Sequence, residues 1–186
     1  MPGGFMSNVV VCRGFNEPDV DRSSIDHLLP FLNTHHIQNA NYGDFKFFGV
    51  RFFNDNIASV IAGMSADNSV GIGHSNGCAV LVRAAFLSEN IMRLILINPA
   101  LDNDTVFPDS LERVDVFHNQ YDFVVTVSRL LLFHGWGDMG NVGYQGLDKR
   151  VHNHETSRLF SAVGHSGVLV DHAHELADYI QDELFI

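Results

Sequence analysis

Short, wholly apolar runs separated by longer amphipathic stretches set the rhythm of this chain. The first run, Val9-Val10-Val11-Cys12, is closed by Arg13-Gly14 and reads as a buried strand with its exit turn. After Pro18, the apolar positions Val20, Ile25, Leu28, Leu29 and Leu32 follow a helical spacing, with Asp19 as a cap and Pro30 ending or kinking the helix. The aromatic and β-branched stretch 45–53 predicts a second strand, and Asn54 a cap for a short helix through Ile57, Val60 and Ile61. Residues 70–73 predict the third strand, 94–97 the fourth (stopped by Asn98-Pro99) and 114–117 the fifth. Between the third and fourth lies a helix through Ala79, Val80, Val82, Ala84, Ala85 and Phe86, whose small residues suit close packing on a sheet. Residues 123–133 read as a helix, 159–163 as a last strand and 168–180 as a last helix.

Strands and helices therefore alternate. Strands apolar on both faces and separated by helices predict an α/β fold, a mostly parallel central sheet with helices on both faces. No repeat and no linker divides the chain, so residues 1–186 are expected to form a single domain. One segment breaks the rhythm. An irregular Gly/aromatic insertion at about 134–154 opens with Gly135, Trp136, Gly137, Met139, Gly140, Gly143, Tyr144 and Gly146. Long loops of this kind are often functional. A loop leaving a helix end in a parallel sheet is expected at the edge opposite the strand C-termini, where ligands do not bind. The segment thus reads as a surface loop pinned by Trp136, with a lid or a partner-binding surface as the other options.

Composition narrows the function classes. The chain has 186 residues, enough for a sizeable core, and 46% are hydrophobic, which excludes wholesale disorder. Eleven Lys and Arg stand against 22 Asp and Glu, a net charge of −11. That balance argues against nucleic acid and anionic lipid as partners, since both need a basic face. The start, Met1-Pro2-Gly3-Gly4-Phe5-Met6, lacks the basic and apolar regions of a secretory leader, and no apolar run reaches the ~18–20 residues of a membrane span. Cys12 and Cys78 fall in apolar segments as buried free thiols. Together these point to a cytoplasmic protein.

The chemistry is concentrated in Gly73-His74-Ser75-Asn76-Gly77, which joins the third strand to the following helix. A Gly-x-Ser-x-Gly turn in that context exposes the serine hydroxyl as a nucleophile. A serine nucleophile needs a base, an acid to orient it, and donors for the oxyanion. Asp122 follows the fifth strand in the turn His118-Asn119-Gln120-Tyr121-Asp122 and is the first candidate acid. Asp102 and Asp104 are runners-up, and Asp115 lies within the strand. Of 11 histidines, His165 stands in Gly164-His165-Ser166-Gly167, a loop expected at a strand C-terminus, and is the first candidate base. His152 and His154 are expected before the last strand, at its wrong end, and His172 and His174 on a helix. The N–H groups of Asn76, at the helix start, and Phe15, after the first strand, are the candidate oxyanion donors. Leu101, Phe107, Phe123 and Phe15 are candidates for an apolar acyl pocket.

Other chemistries find less support. His152-x-His154 and His172-x-His174 lack the spacing of a zinc motif on a helix, and no paired Cys-x-x-Cys occurs, so no metal and no cofactor are expected. The glycines at 71, 73 and 77 miss the Gly-x-Gly-x-x-Gly spacing of a dinucleotide loop by one residue.

On Gly73-His74-Ser75-Asn76-Gly77, Asp122 and His165, in that order, most of the chain resembles the α/β-hydrolase superfamily. The resemblance implies a small, lid-poor serine hydrolase (carboxylesterase- or lipase-like) with Ser75 as nucleophile, His165 as base, Asp122 as acid, and Phe15 and Asn76 forming the oxyanion hole. Two departures are visible. Arg13-Gly14 stands where many members have His-Gly, and the region of the cap domain is reduced to 100–110. The expected reaction is cleavage of an ester or related acyl bond in a small-molecule or surface-borne substrate. An amidase, thioesterase or acyltransferase, or a non-catalytic interaction protein on the same fold, are the alternatives.

Overall fold

The computed structural model describes residues 8–14, 23–34, 36–40, 50–122 and 137–184. Among the described residues six strands form one sheet: β1 (Val9–Cys12), β2 (Ile37–Ala40), β3 (Ser69–His74), β4 (Ile91–Ile97), β5 (Arg113–His118) and β6 (Val151–Glu155), in the order β2-β1-β3-β4-β5-β6. Every neighbouring pair is parallel. The helices are α1 (Val50–Met64), α2 (Asn76–Leu87), the single turns α3 (Met139–Val142), α4 (Thr156–Leu159) and α5 (Gly167–Val170), and α6 (Ala173–Leu184).

Strand side chains alternate between two cores. Val10, Cys12, Leu94, Leu96, Val114 and Val116 point to one face, beneath α1 and α2. Val9, Val11, Val70, Ile72, Ile95, Ile97 and Phe117 point to the other, against Ile25, Leu28, Leu169 and α6. On the first face Gly71 and Gly73 leave β3 without side chains, and Leu81 of α2 fills the space. Helix α1 buries Asn54, Ala58 and Ile61, and Ser65 just beyond its end, at spacings of four, three and four, the stripe of an amphipathic helix. Helix α6 does the same with Ala173, Leu176, Ala177 and Ile180. The helices thus cover both faces of the parallel sheet. Among the described residues no helix is long and apolar enough to cross a membrane.

Several elements differ from the sequence reading. Residues 50–53 are not strand but the first turn of α1, and the second strand is β2. Aromatic and β-branched residues suit a strand, but this stretch continues into a helical stripe, and tertiary packing overrides propensity. Where a helix was expected across 20–32, the described part holds two 3-10 turns, Ser24–His27 and Leu29–Phe31, with Pro30 inside the second. The last strand is Val151–Glu155, not 159–163, so His152 and His154 lie within it. The expected last helix is two, broken at Asp171 and His172. The expected helix over 123–133 lies outside the described residues.

The glycine-rich segment also corrects the expectation. Its described part, from Gly137, packs on the C-terminal ends of the strands. Met139 N–H donates to Leu101 O (3.0 Å), Gly140 N–H to Pro99 O (2.9 Å), and Asn119 N–H to Gly140 O (2.9 Å). A side chain at Gly137 would overlap the Leu101–Asp102 peptide, so only glycine permits that approach. The chain then descends one face, and Arg150 donates to the carbonyls of Pro108 and Leu111 (both 2.9 Å) before β6 begins. The segment is a crossover spanning both edges of the sheet. Pinning by Trp136 lies outside the described residues.

Candidate active site

The C-terminal edge of β1, β3, β4 and β5 gathers most of the polar residues singled out in the sequence. Ser75 follows β3 directly, with φ 55° and ψ −123°, a backbone conformation that side chains other than glycine rarely adopt. Its N–H donates to Ile97 O (3.0 Å), and its carbonyl accepts from Ala100 (3.2 Å), which ties the turn to the end of β4. Helix α2 begins at the next residue. Room for this turn comes from Gly77, where a Cβ would overlap the carbonyl oxygens of Cys12 and Arg13 at the end of β1. The glycine lets the start of α2 pass against backbone.

Asn76 is the first residue of α2, so its N–H belongs to the four that lack an intrahelical acceptor, at the positive end of the helix dipole. Its side chain is 2% exposed and engaged with Asn54 through paired amide contacts of 3.3 Å. The side-chain pairing locks α1 to the start of α2 and leaves the backbone N–H as the group of Asn76 available at the turn.

Asp122 closes the turn after β5, its N–H donating to Asn119 O (2.9 Å). It is fully buried, and its Oδ2 lies 2.7 Å from His165 Nδ1. A carboxylate oxygen accepts, so Nδ1 carries the proton and Nε2 is left with the lone pair. The His165 side chain retains 14% exposure. Its ring centre lies 4.9 Å from that of His74, the residue before Ser75. Asp122, after β5, and His165 are thus in contact at the edge where Ser75 stands; His165 lies in the loop between α4 and α5 rather than after a strand.

The other candidates fall elsewhere. Asp102 and Asp104 are exposed, and the Asp102 carbonyl is occupied by Thr105. Phe107 is 4% exposed and packed in the α1/α2 core against Tyr144, with ring centres 5.8 Å apart. Leu101 is half-buried beside the same core, at the loop after β4. Phe15 and Phe123 lie outside the described residues. His174 is exposed, with its Nδ1 3.3 Å from Asp178 Oδ2.

A second histidine–carboxylate pair escaped the sequence reading. His154 Nε2 donates to Asp115 Oδ1 (2.8 Å), while Arg113 donates to the same carboxylate from Nε (2.8 Å) and Nη2 (3.0 Å). His154 stacks on Phe117 at 4.7 Å, and its Nδ1 accepts from the Tyr179 hydroxyl (3.1 Å). Burial raises the Asp115 carboxyl, but the hydrogen bonds from His154 and Arg113 outweigh it, and the net displacement is downward. The register pairing Phe117 with His154 brings this group together on the α6 face. Neither partner is at a strand end, which suits a structural network. Cys12 and Cys78 are buried, and burial pushes both thiols well above their usual range, so neither offers a rival nucleophile. Among the described residues no group of three or more metal-binding side chains converges.

No family model matches the sequence, and no curated protein sequence does. Solved structures do match in fold. Alpha/beta hydrolase domain-containing protein 10 from mouse superposes with a TM-score of 0.61 at 13% identity, over 97% of this chain and 90% of its own. The Vlm2 thioesterase domain gives 0.56 at 13% identity, over 96% and 98%. Aspergillus fumigatus lipase B gives 0.56 at 14% identity over 88% of this chain, which spans about half (49%) of the lipase. At such identities the likeness is one of fold.

Proposed function

Taking as premise the α/β-hydrolase fold that this chain adopts, we propose that it is a serine hydrolase acting on an ester or related acyl bond. The observation that carries this reading is the 2.7 Å contact between buried Asp122 and His165 Nδ1, at the sheet edge where Ser75 is held in a strained turn. With Nδ1 committed to the carboxylate, Nε2 is the nitrogen that accepts the Ser75 proton as Oγ attacks the acyl carbonyl. Asp122 fixes the imidazole and stabilises its charged form. The carbonyl oxygen gains negative charge at the N-terminus of α2, where the Asn76 N–H serves as one donor. A second donor, the Phe15 N–H, is carried over from the sequence. His165 then returns the proton to the leaving group, and water, activated by the same nitrogen, releases the acyl group from Ser75. The substrate is a small or surface-borne acyl compound, and the reaction calls for no cofactor.

Labelling with a fluorophosphonate probe, alongside hydrolysis of p-nitrophenyl butyrate, tests this reading. Wild type should label and turn over, and Ser75→Ala should do neither while keeping its fold. Equal labelling of the two, or labelling of neither, overturns the proposal in favour of a binding protein on a hydrolase fold.

A further inference from the structure

The loop that carries His165 meets the apolar core through Ala162, which is 1% exposed, while Val163 is 68% exposed and a Cβ added at Gly164 (φ 79°) would meet nothing within 4 Å. Ser161 has φ 57°. Beyond the Ala162 contact, polar side chains from three neighbouring strand ends hold the loop backbone. Asn119, after β5, donates from Nδ2 to Ala162 O (3.0 Å). Asn98, after β4, donates from Nδ2 to His165 O and reaches Gly164 O at 3.5 Å. His74, the last residue of β3, approaches His165 O with Nε2 at 3.2 Å. A carbonyl only accepts, so this nitrogen of His74 carries the proton.

His74 and Asn98 therefore converge on the backbone carbonyl of the residue whose ring meets Asp122. Both are buried, at 1% and 0% exposure. Asn98 adopts φ 44°, a conformation that asparagine tolerates better than most side chains, and its N–H is spent on Phe117 O (2.7 Å). Its Oδ1 is buried with no hydrogen-bond partner among the described residues, so within that set the His165 loop alone orients the amide. The turn residue between Gly73 and Ser75 thereby also carries a contact to the base.

We infer that His74 and Asn98 are positioning residues that hold His165 through its own carbonyl, so that the nucleophile turn and the base loop are built as one unit. The inference rests on the hydrolase reading for its kinetic consequence but not for its geometry. Loss of either donor frees the loop, and displacement of a base by about 1 Å costs on the order of a hundredfold in rate.

The test compares His74→Leu, Asn98→Asp and the donor-preserving His74→Gln with wild type. One readout is hydrolysis of p-nitrophenyl butyrate. The other is the low-field proton NMR signal of His165 Nδ1–H, assigned by its loss in His165→Gln. His74→Leu and Asn98→Asp should lower kcat about 10- to 100-fold with KM within about twofold, and should broaden the signal through faster exchange. His74→Gln should restore most of both. Circular dichroism and urea midpoints identify any variant that fails to fold, and the comparison then runs on the others. A fall in kcat with an unchanged signal overturns the inference, as does a signal and rate that both survive His74→Leu and Asn98→Asp. If wild type neither labels nor hydrolyses the ester, the hydrolase reading has failed by itself. The signal then decides alone, broadening sustaining the tether and constancy overturning it.

Discussion

Asp122 Oδ2 sits 2.7 Å from His165 Nδ1 across 43 positions of sequence, and the carboxylate has no exposed surface. Such a pairing fixes a tautomer as well as a position. An amide in place of the carboxylate would keep the shape but can offer its N–H₂ to Nδ1, which moves the ring proton to Nε2. Asp122→Asn should therefore lower kcat by about ten-thousandfold while KM and the urea midpoint change little. Steady-state kinetics on a short ester would show it. An activity loss under about tenfold would remove Asp122 from the proposed triad.

Ser75 stores backbone strain at φ 55°. Relief of a conformation of this kind is worth about 1–3 kcal/mol, set against roughly 0.5–1 kcal/mol for the extra freedom of an unfolded glycine. Ser75→Gly should then be more stable than wild type by about 1 kcal/mol, a Tm rise of about 2–4 °C, while losing all labelling. Calorimetry reads the first effect. A lower Tm would show that the turn is not strained in solution.

Two glycines provide an internal control on packing. At Gly77 a Cβ would strike the Cys12 and Arg13 carbonyls, whereas at exposed Gly63 of α1 nothing lies within 4 Å. Gly77→Ala should cost about 1–3 kcal/mol or more, because the obstacle is backbone. Gly63→Ala should gain about 0.5–1 kcal/mol. Urea unfolding of both variants would reveal opposite signs. The same sign in both would mean that the close approach of α2 to β1 is relaxed in solution.

Asp115 supplies a pH dependence. Its folded carboxyl is held below the ordinary value by His154 and Arg113 against the opposing effect of burial. Between the folded and unfolded values the unfolded chain binds more protons, so stability rises with pH across that window. The contribution is fully present above the unfolded value of ~3.9 and fades as pH falls through the lower folded one. Asp115→Asn should cost about 1.5–3 kcal/mol at pH 7. The gap to wild type should narrow as pH drops below about 4 in urea titrations. A gap that widens on acidification would contradict the assigned direction.

The elements legible in the sequence were those whose local pattern and final burial agree. β1, β3, β4 and β5 are apolar on both faces because both faces are covered, and the helix after Ser75 continues that pattern. Asp122 could be named as candidate acid because a loop at a strand end follows from a parallel sheet, whereas His165 follows from an expected strand at 159–163 and lies instead between two helical turns. Less legible were elements whose identity depends on neighbours. Ile37–Ala40 and Val151–Glu155 carry few apolar residues, being the outermost strands among the described residues, and no period-two signal marks them. Missing β6 displaced the last strand onto 159–163 and hid the His154–Asp115 pair, which only the β5/β6 register assembles. The path of residues 137–150 was likewise illegible, because it rests largely on backbone hydrogen bonds and on the long reach of Arg150 to Pro108 and Leu111, neither of which leaves a periodic pattern.

The polar strand β6 has a further consequence for how copies of this chain coexist. An outer strand offers unpaired amides to any other extended chain, and a flat apolar one would invite edge-to-edge growth. Here His152 and Asn153 are exposed, and Glu155 caps the turn that follows, its side chain accepting from Ser157. Asn153 also exchanges two hydrogen bonds with the Tyr144 backbone, accepting from its N–H and donating to its carbonyl (both 2.8 Å), so part of the chain's own crossover stands beside that margin. The polar composition that makes β6 hard to read as a strand also makes it a poor template for edge-to-edge growth.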